Sequence, residues 1–344
     1  MSPTIYTIIL SSLATGTIIT MTSFHWLMAW IGLELNTLAI IPIISSQHHP
    51  RSTEAATKYF LTQAAASAMI LFSSMTNAWF TGMWDITQMS YTPSNIFLTM
   101  ALAMKLGLAP THFWFPEVLQ GSTLFTAFVI STWQKLAPMS LIFLTVANLP
   151  PMILLTLGFF SSIIGGWGGL NQTQTRKIMA YSSIAHLGWM TVISSIMTNI
   201  MVINLLIYLM MTTALFLALI LSKSKTIQDT TNTWTMSPTL TITMMLLLLS
   251  LGGLPPLTGF LPKWLILEEL TTQNLMPLAT IMALAALLSL FFYLRLAYTT
   301  TLTLSPNTLQ MKFKWRFKPT TPPQLMMLST LTIFLLPLTP LILL

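Results

Sequence analysis

Three lysines and one glutamate stand where an apolar sequence tolerates charge poorly. Lys105, Lys135 and Lys263 each lie within or at the edge of a run of apolar residues. Glu34 is the only carboxylate deep in such a run, in Trp30-Ile31-Gly32-Leu33-Glu34-Leu35-Asn36. An ionised lysine at the middle of a bilayer costs about 2.5–3.5 kcal/mol, so three cost roughly 8–10 kcal/mol unless water or a partner solvates them. Snorkelling to an interface explains one such lysine. It explains three with a carboxylate among them less well, and proton relay explains them better. An amine taken out of water holds its proton less tightly, and a carboxylate brought near restores the hold, so a moving partner loads and unloads it. His112 and His186 add imidazoles, which titrate near neutrality and can pass a proton between lysines. A lone intramembrane histidine is as often a hydrogen-bonded packing residue, so their value depends on where the fold puts them.

Two of these lysines sit beside helix breakers, in Lys105-Leu106-Gly107-Leu108-Ala109-Pro110 and in the run from Gly252 to Lys263 that holds Gly253, Pro255, Pro256, Gly259 and Pro262. Proline removes a backbone donor and clashes with the preceding turn, so helices are expected to break at Gly107 and Pro110 and again at Pro255 and Pro256. A broken helix within a membrane needs water or protein around it. The ordinary alternative is a pair of proline kinks without function.

The elements that hold these groups are apolar throughout. Hydrophobic residues make up 54% of the 344 and charged residues only 6%, with a mean hydropathy of +0.76, far from the roughly 25% charge of ordinary soluble domains. Spanning segments are expected at about 3–22, 25–45, 56–80, 96–116, 123–143, 150–170, 177–196, 200–221, 239–267, 276–299 and 324–343. The expected fold is therefore an all-α polytopic membrane protein of about eleven transmembrane helices, two of them broken. The broken segments are fourth and ninth, and an odd offset gives them opposite orientations, the pattern of an inverted repeat. On that reading one membrane domain, 1–344, divides into repeats at 1–145 and 146–300, followed by a basic loop and C-terminal helix at 301–344. The start shows no basic leader or small-residue cleavage site, so no removable targeting segment is expected.

Cysteine is absent, which excludes thiolate-held iron–sulfur clusters and disulfides within the chain. No resident metal or redox cofactor is expected. Of the 14 lysines and arginines, all but the three intramembrane lysines fall near the connections after segments two, six, eight and ten. The connections after the odd-numbered segments carry none, although Asp85, Glu268 and Glu269 lie there. The formal net charge of +7 is thus an orienting signal rather than a nucleic-acid surface, and it puts the N-terminus on the cytoplasm-like or matrix side. The cluster Lys312, Lys314, Arg316 and Lys318 reads as an orienting loop with an affinity for anionic head groups, such as cardiolipin, as the functional alternative. Gly165, Gly166, Gly168 and Gly169 lie inside an apolar helix, where close packing suits them better than phosphate binding. Asn171-Gln172-Thr173 matches a glycosylation sequon on the side where glycosylation is not expected.

Several stretches in order resemble the antiporter-like membrane subunits of respiratory complex I and the related multisubunit cation/proton antiporters. Ala29 to Leu35 is similar to the family's glutamate helix, and Lys58-Tyr59-Phe60-Leu61 with Ala64 and Ser67 to the helix after it. Lys105 to Val118 resembles the first broken helix with its lysine, Thr132 to Pro138 the central lysine helix, Arg176 to Gly188 the start of the second repeat's block, and Gly252 to Lys263 the second broken helix. Full-length members have about fourteen helices; the eleven expected here match the shortened animal mitochondrial form. The resemblance implies a proton-translocating subunit of an NADH:ubiquinone oxidoreductase in the mitochondrial inner membrane, surrounded by lipid and by other membrane-arm subunits. It implies that Glu34 pairs with and modulates Lys105, that Lys135 is the central relay, that Lys263 serves the far half-channel, and that His112 and His186 lie along the same axis. NADH, FMN, iron–sulfur clusters and ubiquinone would belong to other subunits. A stand-alone cation/proton antiporter and a purely structural scaffold are the competing readings.

Overall fold

The computed structural model describes residues 3–302 and 323–338, and for Thr235 and Met236 the backbone alone. Among these residues the secondary structure is helical, and the only β-type pairings are two isolated bridges, His25 with Asp85 and Gln174 with Thr226. The basic residues from Lys312 to Lys318 lie outside the described residues, as does most of the expected loop at 301–344.

Each expected segment contains helix. The first three are α1 (Pro3–Thr22), α2 (Trp26–Ile44) and α3 (Pro50–Thr81). The fourth is two helices, α4 (Thr92–Leu106) and α5 (Trp114–Gly121), and the fifth is α6 (Leu124–Thr132) and α7 (Leu136–Thr145) joined by a 3-10 turn at Trp133–Lys135. Then come α8 (Pro151–Gly169), α9 (Thr175–Ser194) and α10 (Thr198–Ser222). Two short helices, α11 (Ile227–Thr231) and α12 (Thr233–Met236), fill the next connection. The ninth segment is again split, into α13 (Pro238–Gly252) and α14 (Phe260–Thr272), and α15 (Met276–Thr301) and α16 (Pro323–Phe334) complete the described chain. Six helices or helix pairs are by themselves long and apolar enough to cross a membrane. The others are interrupted, short or more polar.

Five basic residues counted with the connections, Arg51, Lys58, Arg176, Lys177 and Arg295, lie inside α3, α9 and α15, where helix extends past the apolar run. A long basic side chain on the last polar turns can still reach an interface.

The described residues group into two compact units, one within 1–161 together with 190–198, the other within 162–189 together with 199–344. In the first, α1 and α2 cross closely because both present glycine: a methyl on Gly32 would come within 2.6 Å of Thr20 Cγ2, and one on Gly16 within 2.9 Å of the Gly32 carbonyl. In the second, the α8 glycines do the packing expected of them. A methyl on Gly165 would meet the Ala185 backbone at 2.6 Å and one on Gly168 the Tyr181 ring at 2.3 Å, so α9 lies against α8. Gly166 and Gly169 face Leu288 and Phe292 of α15 in the same way.

Candidate functional site

In the first unit α4 stops at Gly107, which adopts a left-handed φ of 76° and turns its N–H back to the carbonyls of Ala103 and Met104. Glycine takes that conformation without a Cβ penalty, which makes it the common helix terminator. Pro110 follows within the interruption, and helix resumes only at Trp114. The break leaves carbonyls without intrahelical donors, and the Trp114 indole N–H answers one of them, donating to Met104 O at 3.2 Å. Lys105 lies on the last turn of α4, buried, and its Nζ meets no protein hydrogen-bond partner. An ammonium there is favoured by the negative end of the half-helix dipole.

Lys135 is buried on the 3-10 turn between α6 and α7. Pro138, three residues on, cannot donate to the Gln134 carbonyl, which accounts for the loosened winding. The Lys135 Nζ sits 5.3 Å from the centroid of the Phe115 ring, a cation–π distance. Lys105 and Lys135 line one cavity, with Asn36, Tyr59, Gln63 and Gln134 as its further polar wall and Phe115 between the broken helix and the 3-10 turn. It has room for about one or two water molecules.

Glu34, expected to approach Lys105 directly or through water, is held by two hydroxyls. Its carboxylate accepts from the Ser67 hydroxyl at 3.0 Å and from the Thr37 hydroxyl at 2.6 Å, and no ion pair joins it to Lys105. A carboxylate held by two hydroxyls is already satisfied, so contact with the lysine is not needed to stabilise it. His112 is buried in the α4–α5 interruption, its ring 4.3 Å from that of Phe113, and it does not line the cavity. The second half of the broken helix is anchored at its far end. Glu117 of α5 and Glu54 both bridge to Lys58 of α3 at 2.5 Å, and Gly121 packs on the Arg51 carbonyl.

The second unit repeats the break. Here α13 ends at Gly252, Gly253 takes a left-handed φ of 78°, and helix resumes at Phe260 with Pro255 and Pro256 in between. The local order Gly-Leu-x-Pro is the same in both breaks, Gly107 to Pro110 and Gly253 to Pro256. The lysines differ in register. Lys105 precedes its glycine, whereas Lys263 lies in α14 and reaches back across the break, its Nζ donating to the Gly252 carbonyl at 2.8 Å. Thr258, within the break, donates to the Thr332 carbonyl of α16. His186 on α9 is buried beside two tyrosines: the Tyr293 hydroxyl stands 3.5 Å from its Nε2, and the Tyr208 ring centroid is 5.4 Å from its own.

The residues that sequence reasoning passed over are the uncharged polar ones. Gln63, Gln134 and Asn36 carried a signal, amides inside apolar helices, but a weaker one than a lysine. Phe115, Tyr208 and Tyr293 carried none, because an aromatic side chain in an apolar helix reads as packing.

The transmembrane family described as NADH:quinone oxidoreductase/Mrp antiporter matches residues 23–289, and the NADH dehydrogenase subunit 2 C-terminus matches 290–343. NADH-ubiquinone oxidoreductase chain 2 of Carassius auratus is 56% identical over 344 residues, covering 100% of this chain and 99% of that one. The chain belongs to the NADH-ubiquinone oxidoreductase chain 2 family. The family's Varanus timorensis member is 57% identical over 342 residues, with 99% of each chain covered. Among solved structures, respiratory complex I from Thermus thermophilus contains a chain that superimposes with a TM-score of 0.86 at 25% identity, covering 97% of this chain and 78% of that one. The Mrp complex from Dietzia matches with a TM-score of 0.81 at 16% identity, over 87% of this chain and 61% of that one, a likeness of fold alone. The chain 2 family and the transporter-like fold thus agree with the resemblance that the lysine motifs carry.

Proposed function

We propose that this chain is a proton-translocating membrane-arm subunit of an NADH:ubiquinone oxidoreductase, relaying protons through Glu34, Lys105, Lys135, Lys263, His112 and His186 while the redox chemistry runs elsewhere. The observation that carries the reading is the cavity shared by Lys105 and Lys135. It lies beside an interrupted helix in a chain whose 56–57% identical relatives are oxidoreductase subunits. Two amines on one small polar cavity exchange a proton through water without large movement of the protein. The Phe115 face stabilises the charged form of Lys135, and any displacement of α5 alters that contact.

On this reading the chain is a core subunit of the enzyme without a redox centre of its own. NADH, FMN, iron–sulfur clusters and ubiquinone are bound by other subunits. It sits in the mitochondrial inner membrane with its N-terminus on the matrix side, against other membrane-arm subunits and lipid, cardiolipin included. A stand-alone cation/proton antiporter built on the same lysines is less supported, because full-length similarity lies with oxidoreductase subunits.

The test is Lys135→Met in the assembled complex, with quinone reduction and proton uptake measured side by side in vesicles. The relay requires both to fall together, by about tenfold or more, since a positioned proton carrier contributes typically 10²–10⁴-fold and water replaces it in part. Unchanged rates with an unchanged proton-to-electron ratio would remove Lys135 from the path.

A further inference from the structure

Between the two groups assigned to the relay in the second unit stands a side chain with no assigned role. Tyr293 of α15 is fully buried, and its hydroxyl faces His186 Nε2 at 3.5 Å. The root of its ring lies beside Gly252, since a methyl on that glycine would be 3.8 Å from Tyr293 Cδ2. Gly252 is the residue whose carbonyl Lys263 holds at 2.8 Å. One tyrosine therefore touches the helix end capped by Lys263 and, at its other extremity, His186. Ser182 and Ser183, on α9 about one turn before His186, are buried as well, their hydroxyls donating to the Met179 and Ala180 carbonyls. With the two phenols and the imidazole they make this stretch of α9 a buried polar one.

We propose that Tyr293 is a proton-conducting residue of the relay, linking the Lys263 side of the second broken helix to His186. The inference rests on the relay reading above. A phenol carries a proton without becoming charged: the Oη–H bond facing His186 breaks as Nε2–H forms, and a proton arriving from the Ser182 side takes an Oη lone pair. His186 then releases the proton on Nδ1 and is left as its Nε2–H tautomer, and a turn of the phenolic O–H together with a ring flip or proton exchange at His186 resets the pair for the next transfer. At 3.5 Å the hydroxyl is slightly too far for a strong hydrogen bond, and a shift of a few tenths of an ångström closes the gap. Movement of α15 or of the Lys263 cap thus acts on the transfer itself.

Purely structural tyrosines also find partners for their hydroxyls when buried, and Tyr293→Phe separates the two roles because it keeps the ring and deletes only the hydroxyl. The variant is made in the assembled complex alongside His186→Ala, Lys263→Met and Ser182→Ala. NADH:ubiquinone turnover and proton uptake are read per assembled complex in vesicles. The relay role predicts that Tyr293→Phe assembles and loses about tenfold in both readings. Ser182→Ala, which leaves the ring in place, should lose severalfold. Wild-type rates in Tyr293→Phe or in Ser182→Ala, with His186→Ala and Lys263→Met impaired, would overturn the role of Tyr293 and leave the relay standing. Wild-type rates in all four would overturn the relay as well.

Discussion

At the scale of single residues, the site is built by satisfying some polar groups and leaving others without protein partners. Glu34 is held by Ser67 and Thr37, and Lys263 by the Gly252 carbonyl, while Lys105 Nζ has no protein partner. Held groups fix geometry; an amine without a fixed partner can exchange its proton with water at little cost in lost bonds. In the proposed relay Glu34 acts on Lys105 through its charge, which reaches the amine without an ion pair. Glu34→Gln keeps the size, removes the charge and turns one of the two acceptors into a donor, a loss that the Thr37 or Ser67 hydroxyl covers with the backbone carbonyl it already shares. Its expected effect is normal assembly with proton uptake slowed severalfold, less than in Lys135→Met, measured by pH-jump or vesicle acidification. Wild-type uptake in that variant would show that Glu34 is a packing residue bound to two hydroxyls.

At the scale of elements, the helices were legible because about 20 consecutive apolar residues announce a span, and the breaks because glycine and proline announce interruption. What the sequence hid follows from the same rules. The helices α11 and α12 lie in a connection too polar and short to show periodicity, and their start depends on a capping box. In it Asp229 accepts from the Lys225 and Thr226 backbone, a contact only the turn itself creates. The hydroxyls that hold Glu34, one three residues along α2 and one across on α3, were not legible because serine and threonine are too common to flag. The Lys263 partner is a backbone carbonyl, which no side-chain pattern records. Glycines at the breaks and at the helix ends serve different purposes. Gly259 has an ordinary helical backbone, but a methyl there would lie 1.7 Å from the Ser250 carbonyl oxygen, so the two halves of the ninth segment touch through its bare Cα. Gly82 is the reverse case, with a φ of 72° and nothing within 4 Å. Gly82→Ala is expected to cost only about 1 kcal/mol of backbone strain and to leave the amount of assembled complex near normal. Gly259→Ala must displace α13 from the break, at a cost of at least ~1–3 kcal/mol, and assembled complex measured on native gels should fall well below the Gly82→Ala level. Equal amounts in the two variants would show that the break is soft enough to absorb a methyl.

At the scale of the whole molecule, connections of the same parity bond to one another within each unit. Following the odd-numbered segments, His25 bridges to Asp85 and its ring stacks on Trp84, and Asn148 donates to the Thr87 carbonyl at 2.6 Å. Following the even-numbered segments, Lys58 meets Glu117, and Gly121 lies on Arg51. In the other unit Thr175 donates to the Lys225 carbonyl, and Arg295 to the Leu170 carbonyl. These pairings are what helices running alternately up and down produce, since only then do every second connections share a side. Within each unit the bonded connections share a side, so whatever places Arg176 also places Lys225. Under the proposed topology that shared side is the matrix side. A cysteine introduced at Gln228, an exposed position in the connection carrying Lys223 and Lys225, should react with a membrane-impermeant thiol reagent only from the matrix side. One at Thr272, at the end of α14 beyond Glu268 and Glu269, should react only from the other side. The chain has no cysteine of its own, so each label reports a single site. Both positions labelled from one side would break the alternation, and labelling from the reversed sides would keep the fold but place the N-terminus away from the matrix.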